Sequence, residues 1–308
     1  MSLPNPSTHA WSDDHVGGAT NDPRILLLSE ENLMTNGDFE SALSGWANSV
    51  GAAPTRADLG GLAARGNYVM NLKANSVTHW YKAFTGTKVL LTGFVKFVST
   101  DASGSFDVDL YVTADVNYVA SPASKYVSLT FDSQDAIVTT TGIFMPFYVE
   151  LECAAGSYVH INFGCDASTE VYIDDLRLHE VTENITMGEP HRMSVTYQRL
   201  VDSEYEMYDK SDKVYLRGWR PVFNVGYDYL AAADLVKNIK ASESTFNFFI
   251  AHSDNLFGAY VRMIDDFNQE PFHGRFFAHQ QDISLRSIFL YKNKPREYGA
   301  TYFSVASS

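Results

Sequence analysis

The stretch "NGDFESALSGW", residues 36–46, decides how the rest of the chain is read. Asn36-Gly37 and Ser44-Gly45 are turn dipeptides. Glycine takes positive φ without steric cost, and asparagine tolerates it. Between the two turns, Asp38 and Glu40 flank Phe39. Polar–apolar–polar is the order of a short strand with one buried side. The stretch predicts a strand held between two tight turns.

Working outward, residues 31–181 repeat the same alternation. "FDVDLYVT" sets Val108, Leu110 and Val112 on one face, and "YVSLTF" does so with Val127, Leu129 and Phe131. "FYVELEC", "YVHINFGC" and "VYIDDLRL" follow. Period-two runs separated by turn residues predict an antiparallel β-sandwich. Two cysteines, Cys153 and Cys165, bound "CAAGSYVHINFGC". This segment predicts a hairpin turning at Ala155-Gly156-Ser157, with both cysteines as buried free thiols.

A polar break with Gly188 and Pro190 falls at residues 181–191. Beyond it, "KVYLRGWRPVFNVGY" is strand-like. "DYLAAADLVKNIKASES" predicts a helix capped by Asp228, with Leu230, Ala233, Val236 (or Leu235) and Ile239 as its apolar stripe. "FNFFI", "AYVRMI" and "ISLRSIFLY" are further strands. The expected organisation is an extended polar N-terminal arm over 1–30, a sandwich over 31–181, and a smaller α+β assembly domain over 182–308.

The net charge of −14 is uneven. Residues 1–181 carry 21 acidic and 9 basic side chains, residues 182–308 carry 16 and 14. Such an acidic half does not sit on a phosphate backbone, so no nucleic-acid partner is expected. It does supply carboxylates for hard cations. No apolar run approaches the roughly 18 residues of a membrane span, so no membrane insertion is expected. The opening residues lack the basic and apolar regions of a secretory signal. Carboxylate pairs at Asp265-Asp266 and Glu204-x-Glu206, and histidines at His273 and His279, lack the partners that hydrolysis or zinc would need. No nucleophile elbow, Walker loop or dinucleotide fingerprint occurs. The expectation is a protein that is not an enzyme.

The first half resembles carbohydrate-binding modules of the calcium-containing jelly-roll type. These open with N-L-(L/I)-x-N-G-(D/G)-F-E…G-W and close with V-Y-I-D-D-V-x-L. Here "NLMTNGDFESALSGW" (32–46) opens and "VYIDDLRL" (171–178) closes. The resemblance implies a jelly roll whose first and last strands lie together, sharing a structural calcium. Carried over residue by residue, the calcium ligands are Glu40, Asp174 and Asp175, with Asp38 beside them. It also implies a glycan platform of aromatic rings. The candidates are Trp80, Tyr81 and Lys82 in "HWYKAF" (79–84), with Tyr111. Lys82 departs from the family pattern, and Trp46 holds a position that is more often core.

Residues 182–308 are similar to small domains at the ends of bacteriophage tail, collar and fibre-attachment proteins. The resemblance implies a structural virion protein, assembled in the host cytoplasm. Its expected partners are other virion proteins, copies of itself and a host-surface glycan. The alternative is a secreted or cell-surface carbohydrate-binding protein associated with polysaccharide-degrading enzymes.

Overall fold

A computed structural model describes residues 23–100, 104–114, 116, 125–132, 144–187, 192–206, 212–231, 239–244, 246–251, 257–264, 270–271, 278–288 and 302–303. In chain order its strands are β1 (Arg24–Leu28), β2 (Ala47–Val50), β3 (Thr55–Asp58), β4 (Tyr68–Lys73), β5 (Val77–Phe84), β6 (Lys88–Ser99), β7 (Ser105–Thr113), β8 (Lys125–Asp132) and β9 (Met145–Glu152). They continue as β10 (Ser157–Cys165), β11 (Glu170–Thr186), β12 (Arg192–Glu206), β13 (Asp212–Ala231), β14 (Asn247–Ala251), β15 (Phe257–Met263), β16 (Glu270–Pro271), β17 (Ala278–Ser287) and β18 (Tyr302–Phe303). Residues 239–243 form the one α-helix among the described residues, α1. The fold is mainly β and antiparallel, a jelly-roll sandwich followed by a smaller part that carries α1.

The sandwich faces a five-stranded sheet, β2-β5-β10-β7-β8, against β4, β11, β6 and β9 of a larger sheet. Alternation places every second residue inside. Phe106, Val108, Leu110 and Val112 of β7 meet Val159, Ile161 and Phe163 of β10 in one core, with Val89, Leu91 and Phe147 from the opposite sheet. On β11 the inward residues are Val171 and Ile173, then Leu176 and Leu178. The parity changes because the register shifts between Asp174 and Arg177 and Asp175 sits at φ +45. Without this bulge the side chains beyond it would face the wrong side of the sheet.

The larger sheet continues past the sandwich. β1 lies between β11 and β14, and β18 pairs with both β9 and β15. Seven strands, β1, β11, β6, β9, β18, β15 and β14, therefore close on themselves. Leu26, Leu28, Leu90, Tyr148, Phe248, Ile250 and Tyr260 form one cluster here. Ile25 and Leu27 point the other way, into a cluster with Phe223, Phe249, Val261, Leu285 and Ala241 of α1. Arg24 Nη2 meets Glu150 Oε1 at 2.9 Å, and Lys88 reaches the other oxygen of the same carboxylate.

Four expectations change. "NGDFESALSGW" is a folded turn segment and not a strand. Asn36, Phe39 and Gly45 all take positive φ, and Phe39 is driven into the core with Trp46. The hairpin at Ala155-Gly156-Ser157 is absent: β9 pairs with β6, and β10 pairs with β5 and β7. The chain crosses between sheets there, because alternation says nothing about which strands pair. Both cysteines are free and buried. Asp228 caps no helix, since β13 runs to Ala231, and the helix is limited to 239–243 among the described residues. Within the span expected as an extended arm, Arg24–Leu28 form a buried strand. A short continuous apolar run such as "RILLL" is what a strand covered on both faces requires. Residues 1–22, Asp265, Asp266 and His273 lie outside the described residues. No helix among the described residues is long and apolar enough to cross a membrane.

Candidate functional site

Because β5, β10, β7 and β8 each bury alternate residues in the sandwich, their other residues share the outer face. Register turns that face into rows. His160 stands opposite Tyr81 on one side and Tyr111 on the other, and Tyr111 stands opposite Tyr126. Four rings thus form one row across four strands. The next row reads His79, Asn162, Asp109 and Ser128.

The rings touch. Tyr111 and His160 stack at 5.0 Å with planes 5° apart, and His79 and His160 stack at 5.2 Å and 12°. Tyr81 stacks on His79 at 5.6 Å, and Tyr126 tilts against Tyr111 at 6.5 Å. Polar atoms knit the layer. His79 Nε2 and His160 Nδ1 share a hydrogen bond of 2.9 Å, and His160 Nε2 meets Thr113 Oγ1 at 2.7 Å. Tyr126 Oη and Ser128 Oγ both donate to Asp109 Oδ1 at 2.7 Å, and Thr130 Oγ1 donates to Asp107. Tyr111 Oη donates to Asn162 Oδ1 at 3.3 Å. Burial holds the His79 imidazole below its ordinary range.

Exposure divides the row. Tyr81 is 47% exposed and Tyr126 55%, while His160 and Tyr111 are buried. The buried pair is a floor, and the exposed rings stand at its two ends. Three strand spacings of about 4.8 Å separate them, about 14 Å in all.

Of the platform residues expected from the sequence, Tyr81 and Tyr111 lie on this face. Trp80 and Lys82 do not. Trp80 is buried in the sandwich core 6.5 Å from Trp46, and Lys82 Nζ donates to the carbonyl of Leu33. The period of two that puts Tyr81 outside sends its neighbours to the other side. Sequence reasoning does not single out His160, Asn162 and Asp109. Their signal was the phase of alternation in "FDVDLYVT" and "YVHINFGC", whose polar positions all share one face.

The expected metal ligands lie at the other side of the sandwich, where the turn segment meets the β11 bulge. Glu40 Oε1 accepts the N–H groups of Asn67 at 2.7 Å and Tyr68 at 2.9 Å, which hold its carboxyl below the ordinary range. Asp174 Oδ2 accepts the N–H of Arg65 at 2.8 Å, and Oδ1 that of Asp175 at 2.7 Å. Burial still pushes the Asp174 carboxyl up to about 7. The structure thus brings Glu40 and Asp174 to one loop, between β3 and β4. Gly66 in that loop, at φ +66, makes a cradle: a Cβ there would come within 2.2 Å of Glu40 Oε1. Asp175 is turned instead to Arg177 Nη2 at 3.0 Å and Arg65 Nη1 at 3.4 Å. Asp38 Oδ1 accepts the N–H of Glu40 at 3.3 Å. Among the described residues, no group of three or more His, Cys, Asp or Glu side chains could hold a metal ion. Glu40 and Asp174 suit a hard cation in charge and oxygen chemistry; the six to eight oxygens that calcium takes would have to include backbone carbonyls.

No protein-family model and no curated protein matches the chain. Among solved structures it is similar to the CBM22-1 xylan-binding domain from Paenibacillus barcinonensis Xyn10C, at 16% identity and a TM-score of 0.36 over 54% of this chain and 99% of that one. It is similar to TmCBM61 in complex with beta-1,4-galactotriose, at 15% identity and 0.34 over 48% and 98%. A third similarity is to the enzymatically active domain of Bacteriophage CBA120 tailspike protein 4, at 14% identity and 0.34 over 48% of this chain and 21% of that chain.

Proposed function

We propose that the protein binds an uncharged glycan, without cleaving it, on the outer face of β5, β10, β7 and β8. One observation carries the reading: the registered row Tyr81–His160–Tyr111–Tyr126, with exposed rings at both ends and stacked, hydrogen-bonded rings between. Sugars present apolar ring faces and polar rims. Aromatic planes flanked by a few fixed polar groups match both. Asp109, Asn162 and Ser128, one row away, are the groups that would read hydroxyls. Asp107 and Asp109 are the charged side chains at the described outward positions of β7 and β8, so uronate or sulfate groups would be repelled. Hydroxyls of β8 already engage both carboxylates as acceptors, which suits binding better than proton transfer.

The test is a glycan array followed by calorimetry on the full chain. A neutral oligosaccharide binds, and Tyr81→Ala and Tyr126→Ala each weaken it roughly ten- to hundredfold, about 1.4 to 2.8 kcal/mol. Binding that both variants leave unchanged, or a preference for anionic glycans, would overturn the reading. Release of shortened sugars on incubation would overturn its non-catalytic part.

The setting we propose is a bacteriophage particle, in which this face addresses host-surface glycan and the second half joins other virion proteins. What supports it is the resemblance of residues 182–308 to tail, collar and fibre-attachment domains. Mass spectrometry of purified particles tests it; a chain found only in culture medium with polysaccharide-degrading enzymes would favour the alternative. A calcium ion held by Glu40 and Asp174 belongs to the same reading, tying the β3–β4 loop to the β11 bulge.

A further inference from the structure

Gly164 lies inside β10, where its neighbours give no reason for a glycine. A glycine within a strand marks a bulge, a bend or the close approach of another group. β10 keeps its register with β5 and β7 through Gly164, which stands opposite Val77 and Asp107. Its φ is outside the positive region that favours glycine. Nor does the protein crowd it. A Cβ added at Gly164 would have one neighbour within 4 Å, Val77 Cγ2 at 3.9 Å. Gly93 and Gly258, also within strands, differ: a Cβ there would strike Leu176 Cδ2 at 2.4 Å and Phe248 Cε1 at 2.3 Å. A strand glycine costs stability, through chain entropy and the missing side chain. What remains to explain Gly164 is the approach of a ligand.

Gly164 leaves a gap in the outer face that carries the aromatic row. It stands two positions beyond Asn162, in a row that reads Val50, Val77, Gly164, Asp107 and Thr130. Two side chains beside the gap are held away from it. Thr130 Oγ1 draws the Asp107 carboxylate towards β8 at 2.7 Å, and Tyr111 Oη holds Asn162 Oδ1 on the side of the aromatic row. Val77 and the 57% exposed Val50 make one end of the row apolar, while Asp107 and Thr130 make the other polar. An apolar wall, a bare backbone floor and a few polar groups fit a sugar ring. The aromatic row lies four residues back along the strands, about 13 Å away. An acetyl or hydroxymethyl group on a sugar stacked there does not reach so far, and a short side branch does. Resting on the glycan reading above, we infer that the ligand is a branched neutral glycan. Its main chain stacks on Tyr81 and Tyr126. A side residue fills the gap over Gly164, against Val77, with its hydroxyls on Asp107 and Asn162.

An array of linear neutral oligosaccharides, and of the same oligosaccharides bearing a neutral side residue, tests this on the full chain. The natural chain binds branched members at least about tenfold tighter than their linear parents. Gly164→Val puts a side chain into the gap and removes that preference, while affinity for linear members stays within about twofold. Gly164→Ala lies between the two. Tyr81→Ala weakens linear and branched members alike. Both glycine variants melt no lower than the natural chain, because the strand gains a side chain in open space. A natural chain with no preference for branches would overturn the inference and leave the platform reading standing. Gly164→Val with that preference intact, or with linear and branched binding weakened alike, would do the same. So would a glycine variant that melts lower or does not fold, since Gly164 would then serve the fold. A natural chain that binds no member of the array would overturn both readings.

Discussion

Gly37 and Leu176 join the two ends of the sandwich through their backbones. The N–H of Leu176 donates to the Gly37 carbonyl at 2.9 Å, and a Cβ on Gly37 would lie 2.1 Å from the Leu176 carbonyl oxygen. The turn segment and the β11 bulge thus lie backbone on backbone, in a space that only glycine leaves free. Gly37→Ala is expected to destabilise the fold by about 1–3 kcal/mol, as the two backbones are forced apart. Urea denaturation measures it, and an unchanged midpoint would show that the segment can move away at no cost.

The calcium reading makes a second prediction. Calcium raises the melting temperature relative to chelator, with about 2.7 kcal/mol of stabilisation at one hundred times the dissociation constant. Glu40→Gln and Asp174→Asn each abolish the shift, and Asp175→Asn keeps it, because Asp175 is paired with Arg177 and Arg65. Identical melting in chelator and in millimolar calcium would remove the ion from the account.

Glu150 answers two cations at once. Burial alone would raise its pKa, but Arg24 and Lys88 more than offset this and hold it below the ordinary carboxylate range. Glu150→Gln leaves both cations buried without an anion and is expected to cost about 3–5 kcal/mol. Since β1 is the strand that carries Arg24, the variant should first lose exchange protection along residues 24–28. A variant as stable as the natural chain would mean that water solvates this triad.

The His79 imidazole is held below its ordinary range by burial. The unfolded chain therefore takes the proton first as pH falls below about 6.5, and the stability that neutral His79 contributes is lost on acidification. Asp174 and Asp175, raised to about 7 mainly by burial, act in the opposite sense. The measurable quantity is the difference between the natural chain and His79→Asn from pH 7.5 to 5.5. It should shrink as pH falls. A difference that grows would reverse the assignment.

Alternation in β7, β8 and β10 was legible because a strand repeats every two residues, so apolar and polar positions separate in one dimension. The same logic placed Val108, Leu110 and Val112 on one side before any partner was known. It failed where the chain leaves that period. Asp174-Asp175 lies in an alternating run in the sequence, yet it is a bulge inside a strand that runs on to Thr186. Asp228 suggested a cap, but pairing of Leu230 and Ala231 with β17 keeps β13 extended past it.

What the sequence by itself determined is therefore local: the β-rich class, the faces of individual strands, the free cysteines, and the turns at Asn36-Gly37 and Ser44-Gly45. Tertiary structure alone decided which faces meet. Trp80 and Tyr81 are neighbours in sequence with equal claim to a sugar, and the sandwich buries one and exposes the other. His79 and His160 are far apart in the chain and meet only because β5 and β10 pair in one register. The physical reason is that backbone hydrogen bonding between strands is blind to side-chain identity. Register is set by the burial of whole sheets, and no short stretch of sequence contains that sum.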